Sequence, residues 1–168
     1  MNIELRKASP QDKPIFFNLW EFYIYDFSEM NPIFEVDSSG RFGGAPENYW
    51  EEPDRHPFLI YANGKLAGFV LINQTEPIQR IGQFFVMRKY RQKGVGEKAA
   101  IRSFEAFPGK WKVGVTSYNR GAIKFWRKII SRYTQGTFEE QTDDEGIDFL
   151  FENKLPYDEQ DQLSKIEG

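Results

Sequence analysis

The sequence predicts one mixed α/β domain in which strands and helices alternate along most of the chain. Three observations carry that reading. A period-two opening is followed by an aromatic stretch at helical spacing, and Asn63-Gly64 separates two apolar runs. A buried strand then gives way to a basic, glycine-bearing turn and another helical pattern. The 168 residues suit a single core, and 17% aromatic residues, 16 of them Phe, exclude a disordered chain.

Ile3 and Leu5 alternate with Glu4 and Arg6, the period of a half-buried first strand. Ser9-Pro10 marks a helix start, with Asp12 in the first turn. Ile15, Phe16, Leu19, Trp20, Tyr23 and Phe27 then fall on one helical face. From Asn31 to Pro57 the pattern lapses into glycine- and proline-punctuated loop, with room for a short helix at Pro46 to Trp50. So long an irregular stretch in a compact domain points to function. Phe58–Tyr61 and Leu66–Ile72 flank the hairpin turn Asn63-Gly64. Ile81 to Met87 reads as a central strand, Gly94 to Phe107 as a helix stopped by Pro108-Gly109, and Trp111 to Val115 as a short strand. Asn119 caps a helix to Ile130, and two strands follow at about Tyr133 to Gln141 and Ile147 to Asn153. Residues 1–155 are expected to form the domain, and 156–168 a polar tail.

Composition removes several functions. A net charge of −3 argues against general nucleic-acid binding, which needs a basic surface. Without cysteine, disulfides and thiolate chemistry are excluded; with His56 alone, the composition argues against zinc or iron, carboxylate-bound ions are the one easy metal reading left, and no metal site is expected. No apolar run is long enough to span a membrane, and the first residues do not read as a signal peptide, so a cytoplasmic protein is expected.

The chemistry concentrates in Arg88-Lys89-Tyr90-Arg91-Gln92-Lys93-Gly94-Val95-Gly96, between the buried strand and the helix. Five basic residues (Arg88, Lys89, Arg91, Lys93 and Lys98) fall within eleven positions of an acidic chain. Gly94 and Gly96 let the backbone turn tightly and let an anion reach its N–H groups, at the positive end of a helix. Each charge-assisted hydrogen bond of that kind contributes roughly 1.5–3 kcal/mol. The competing reading is a solvated basic turn with incidental glycines. No P-loop motif is present. Gly94 to Ala99 does fit the dinucleotide pattern G-x-G-x-x-A, but six residues separate it from the strand and no acidic residue ends the next one.

The segment resembles the acyl-CoA-binding motif of the GNAT (GCN5-related) N-acetyltransferases, [RQ]-x-x-G-x-[GA], matched by Arg91 to Gly96. The family's second signature, an Asn followed by A-x-x-F-Y, is approximated by Asn119 and Ala122-Ile123-Lys124-Phe125-Trp126. The order of elements from Ile3 to Asn153 also matches. The resemblance implies a mostly antiparallel mixed sheet with helices on both faces, whose fourth and fifth strands are parallel and splay apart. It implies acetyl-CoA as the acyl donor and the amine of a small molecule or peptide as acceptor, attacking directly in a ternary complex. The backbone of Phe85, Val86 and Met87 would pair with the pantetheine arm. The amides of Arg91, Gln92, Lys93, Gly94, Val95 and Gly96 would hold the pyrophosphate, with Asn119 and Trp126 also at the cofactor. An N–H near Val86 would stabilise the oxyanion.

Trp126 stands where many members place an acid tyrosine, and Gln83 where some carry a glutamate base. Gln83, able to orient water, and Tyr118, the nearest other phenol, are then the catalytic candidates. The acceptor would pass the irregular segment from Tyr23 to Trp50, where Tyr23, Tyr25 and Glu51 are the candidate substrate-binding residues. Glu47, Glu51, Glu52 and Asp54 put four carboxylates in eight residues, which would favour a cationic acceptor. A solvated helix face is the competing reading of that run. His56 reads as structural, and a homodimer is left open. A CoA-binding regulatory module without catalysis and a plain interaction domain are the rival functions.

Overall fold

The computed structural model describes residues 1–153; the expected tail, 156–168, lies outside the described residues. The strands are β1 (Ile3–Lys7), β2 (Arg55–Ala62), β3 (Lys65–Thr75), β4 (Ile78–Val86), β5 (Gly109–Thr116), β6 (Glu139–Thr142) and β7 (Gly146–Asn153). The helices are α1 (Lys13–Ser28), α2 (Val95–Ala106) and α3 (Arg120–Tyr133), with short 3-10 turns at Pro10–Asp12, Glu47–Trp50 and Arg88–Tyr90. The sheet runs β1-β2-β3-β4-β5-β7-β6, and its pairs are antiparallel except β4 with β5.

Period-two alternation sends the side chains of β3 to opposite faces. Phe69 and Leu71 join Phe16, Leu19 and Trp20 of α1, whereas Val70 and Ile72 join Phe104 of α2 and Trp126 of α3. A third cluster places Val95 and Ala99 of α2 over Ile3 and Ile60, which anchors the start of that helix. Several boundaries differ from the sequence reading. β2 begins at Arg55 rather than Phe58, because its partner β3 extends to Thr75 and the register pairs Arg55 with Asn73. β4 likewise begins at Ile78. α3 continues to Tyr133, whose ring packs on Phe104 and Phe151, so the following strand shrinks to Glu139–Thr142. The helix ends where Gln135 and Gly136 take positive φ and the Gly136 amide closes onto the Ser131 carbonyl at 2.8 Å.

Two local features open the sheet. Leu71 pairs with Gln83 but Ile72 with Ile81, so Gly82 is a bulge residue on β4. The bulge puts Ile81 and Phe84 in the same core, beside α3, and turns Gln83 towards α1. A side chain at Gly82 is excluded, since its Cβ would overlap the Tyr49 hydroxyl. Beyond the bulge β4 and β5 part. Their pairing covers Ile78 to Ile81 against Lys110 to Val113, while β5 stays paired with β7 as far as Thr116.

Candidate active site

The gap between the parted strands opens into a cleft of about 850 Å³ reached from both faces of the sheet. Its α3 side is walled by Phe84, Phe125 and Trp126, and its α1 side by Trp20, Tyr23 and Phe85. The Met87 amide donates to the Ala67 carbonyl on β3 at 2.8 Å. Alternation therefore turns the amide and carbonyl of Val86 into the gap and keeps those of Phe85 on the β3 side, while the Met87 carbonyl accepts from the Tyr90 amide at 2.9 Å. Of the three residues expected to offer their backbone there, Val86 is the one so placed. Arg91 Nε already caps the Val86 carbonyl at 2.7 Å, leaving the Val86 amide facing the gap.

The basic turn follows β4 directly. The 3-10 turn of Arg88–Tyr90 is succeeded by Gln92 and Gly94 with φ of 59° and 78°, alternating left-handed residues of the kind that make an anion-binding nest. Gly94 caps α2, where a non-glycine residue would be strained, and no other atom lies within 4 Å of where its Cβ would be. Among the described residues, no amide from Gln92 to Glu97 donates to another protein group, and the first helical bond of α2 is Lys98 N to Gly94 O at 3.1 Å. The Arg91 amide is different, being taken by the Arg88 carbonyl at 3.1 Å. The free donors thus run from Gln92 to Glu97, one residue later than expected. Of these residues Gln92 and Gly96 line the cleft, and the Val95 side chain is buried in the core, so it can offer only its amide.

Asp26 on α1 is a participant that sequence reasoning missed. Its carboxylate pairs with Arg88 at 2.8 Å through one oxygen and with Arg91 through the other. α1 is thereby tied to the turn after β4. The signal was faint: one acidic residue on the flank of an aromatic helix.

Tyr23 lies buried on the α1 wall, and its hydroxyl donates to Gln83 Oε1. Burial pushes its pKa up, and the neighbouring phenols Tyr118 and Tyr49 push the same way, so the group stays neutral. Tyr118, 41% exposed, reaches the cleft beside Asn119 and accepts from Asn31 Nδ2 at 3.3 Å. Asn119 caps α3, accepting from the Ala122 amide at 3.1 Å. Trp126 packs edge-on against Phe84, with ring centres 4.9 Å apart. Gly96 belongs to the cleft wall because a Cβ there would sit 2.9 Å from the Phe125 ring.

Tyr25 and Glu51 do not line the cleft. Tyr25 is 64% exposed on the outer side of α1. Glu51 follows the 3-10 turn Glu47–Trp50, where Glu52 pairs with Arg55 at 3.1 Å, and none of the four carboxylates of that run lines the cleft. Helical turning explains Tyr25: Trp20, Tyr23 and Phe27 share the inner face, and two positions beyond Tyr23 is the opposite side. His56 is structural, with Nε2 2.9 Å from Gln74 Oε1 and its ring against Phe107. Among the described residues no group of three or more potential ligands is placed to hold a metal ion, and no helix is long and apolar enough to cross a membrane.

The same architecture recurs in solved acetyltransferases. The PaiA N-acetyltransferase of Thermoplasma acidophilum, in complex with coenzyme A, superposes with a TM-score of 0.64 at 17% identity, over 90% of this chain and 99% of that one. An acetyltransferase from Thermus thermophilus gives 0.66 at 15% identity, over 89% and 96%. The spermidine N-acetyltransferase of Vibrio cholerae, in complex with CoA and spermine, gives 0.58 at 15%, over 88% and 93%. No curated protein sequence matches significantly. The model of the acetyltransferase (GNAT) family matches residues 18–130, a span that includes α1 from its second turn, the parted strands, the basic turn and nearly all of α3. By that match, and with the splayed β4/β5 pair and open glycine turn in place, the chain belongs to the GNAT family of acetyltransferases.

Proposed function

We propose that this protein is an acetyl-CoA-dependent N-acetyltransferase that acts on the primary amine of a small molecule or peptide by direct attack in a ternary complex. One observation carries the reading: the run of unpartnered amides from Gln92 to Glu97, of which Gln92 and Gly96 line the cleft, adjoins an opening that passes through the sheet to a second, side-chain-lined face. The turn fits a pyrophosphate. It offers several donors, a helix N-terminus, open space at Gly94 and nearby basic side chains. The Val86 amide and the Asn119 side chain fit an extended pantetheine arm lying in the strand gap.

Acetyl-CoA, when bound, supplies an activated thioester. The chain's own contribution is to position and polarise. The Val86 amide offers a fixed donor at the gap, of the kind that stabilises negative charge developing on a carbonyl oxygen. Tyr23 fixes the orientation of Gln83, whose amide nitrogen can then donate to a water beside the incoming amine. No carboxylate base stands at that position, so proton removal falls to water. Tyr118, at the solvent edge beside Asn119, is the phenol placed to return a proton on the cofactor side. Holding both reactants across the gap supplies the proximity term.

Calorimetric titration with CoA, combined with detection of free thiol in the presence of acetyl-CoA and an amine panel, tests the reading. Micromolar CoA binding with amine-dependent thiol release is expected. CoA binding without transfer to any amine would reduce the protein to a cofactor-binding module.

A further inference from the structure

The acceptor's chemistry can be read from the wall that the cofactor does not use. That wall is made by the inner face of α1 and the loop after it: Trp20, Ile24, Phe27, Met30 and Phe34, with Tyr23 and Gln83 at its deep end. Phe34 is held on Phe27 with ring centres 6.0 Å apart, so the loop closes over the helix as an aromatic flap.

Charge is what the wall lacks. Asp26 is the one carboxylate among the described residues that line the cleft, and it is neutralised by Arg88 and Arg91. Glu21, the nearest other acid on α1, is used by the loop itself, accepting from the Phe42 and Gly43 amides at 2.8 Å each. The indole N–H of Trp20 is likewise spent, on the Gly43 carbonyl at 3.0 Å. What remains for an amine is one neutral acceptor, the lone pair of a Tyr23 hydroxyl whose proton goes to Gln83; the Gln83 amide nitrogen only donates, and serves a water. A second positive charge on the acceptor would lie against apolar side chains and near two arginines, with no uncommitted anion among the described residues that line the cleft to replace its water.

Resting on the N-acetyltransferase reading above, we propose that the acceptor is a monoamine whose body is aromatic or otherwise apolar, and that polycationic amines are poor substrates. The apolar body lies against Phe27, Met30 and Phe34, and the amine reaches the gap at Tyr23 and Gln83 as the neutral nucleophile. Its nitrogen forms the new bond to the acetyl carbon, the sulfur departs as CoA thiolate, and the nitrogen's surplus proton passes to water.

The experiment compares 2-phenylethylamine and hexylamine with spermidine and kanamycin, using wild-type protein and acetyl-CoA, and also measures binding of each amine to CoA-saturated protein by calorimetry. A kcat/KM for 2-phenylethylamine at least about 30-fold above spermidine is expected, the scale of losing an apolar contact and stranding a charge. Preference for spermidine or kanamycin overturns the proposal and leaves the N-acetyltransferase reading standing. Binding of 2-phenylethylamine without transfer to any amine upholds the pocket's chemistry and overturns the enzymatic reading. Neither binding nor transfer overturns both. Met30→Glu is the converse test. Met30 is 37% exposed, so the fold should tolerate a carboxylate there. It should raise kcat/KM for spermidine and lower that for 2-phenylethylamine, each about fivefold, with KM for acetyl-CoA unchanged. An unaltered ratio in a folded Met30→Glu protein overturns the placement of the acceptor.

Discussion

The basic-turn edge of the cleft and its α1 wall are built on different principles. Towards α2 the protein presents backbone: open amides, two left-handed residues and a helix start. Towards α1 it presents side chains, mostly aromatic, with one neutral tyrosine–glutamine pair. A backbone wall can serve any sequence that keeps its glycines. A side-chain wall is individual to the protein, and it is where our proposal puts the choice of acceptor.

The sharpest way to break this contrast is at Gly96. Valine there forces its Cβ to 2.9 Å from the Phe125 ring, and its methyl groups crowd amides that should face the phosphates. Losing two such hydrogen bonds amounts to roughly a 100-fold loss of CoA affinity. Titration of Gly96→Val with CoA, alongside its urea midpoint, checks this. Wild-type affinity in a folded variant would show that the amides of this turn do not hold the cofactor.

The same contrast explains what the sequence disclosed. The turn from Arg88 to Gly96 was legible because a backbone site needs particular residues at fixed spacing, and the hairpin at Asn63-Gly64 was legible for the same reason. The aromatic face of α1 was legible as a face, but not as a wall, since helical periodicity says which residues point inward and not what they meet. Tyr25 was misplaced against that periodicity, which puts it on the outer side, and Glu51 because it follows an irregular segment whose course no period discloses. Asp26 escaped because its partners lie more than sixty residues away, beyond any local pattern. The splay of β4 from β5 was expected through the resemblance, but its starting point was not: the pairing stops beside the bulge at Gly82, and one glycine within an apolar run does not reveal a shift of register.

On the side-chain wall, Tyr23→Phe keeps the ring among its aromatic neighbours and removes the hydroxyl that orients Gln83. A fall in kcat of about tenfold is expected, with KM for acetyl-CoA unchanged. Raised KM for acetyl-CoA at constant kcat would mean that Tyr23 belongs to the other wall.

Asp26 joins the two. Asp26→Asn keeps a hydrogen-bonding group but removes the charge that neutralises Arg88 and Arg91, which are 66% and 42% exposed at their side chains. The mouth becomes more positive, so CoA should bind about threefold more tightly at low ionic strength, and the gain should vanish in high salt. Affinity that falls equally at both ionic strengths would assign Asp26 a purely structural role.

The last comparison separates the walls by pH. Tyr23 is held above the ordinary tyrosine value of 10.0 by burial, with Tyr118 and Tyr49 adding to it. Below pH 10 the group is neutral in both folded and unfolded protein and contributes no pH dependence. Above it the unfolded chain releases the proton while the folded chain keeps it, so stability falls as pH rises towards the folded value. One proton changes stability by at most about 1.4 kcal/mol per pH unit in that range. Tyr23→Phe lacks this group but retains Tyr49 and Tyr133, which burial also raises. Urea unfolding of both proteins at pH 8 and pH 11 isolates Tyr23 by difference, and the wild type should lose more stability than the variant between those values. Equal losses would mean that the hydroxyl ionises in the folded protein as readily as in water. It could not then be the buried, neutral donor to Gln83 on which the side-chain wall depends.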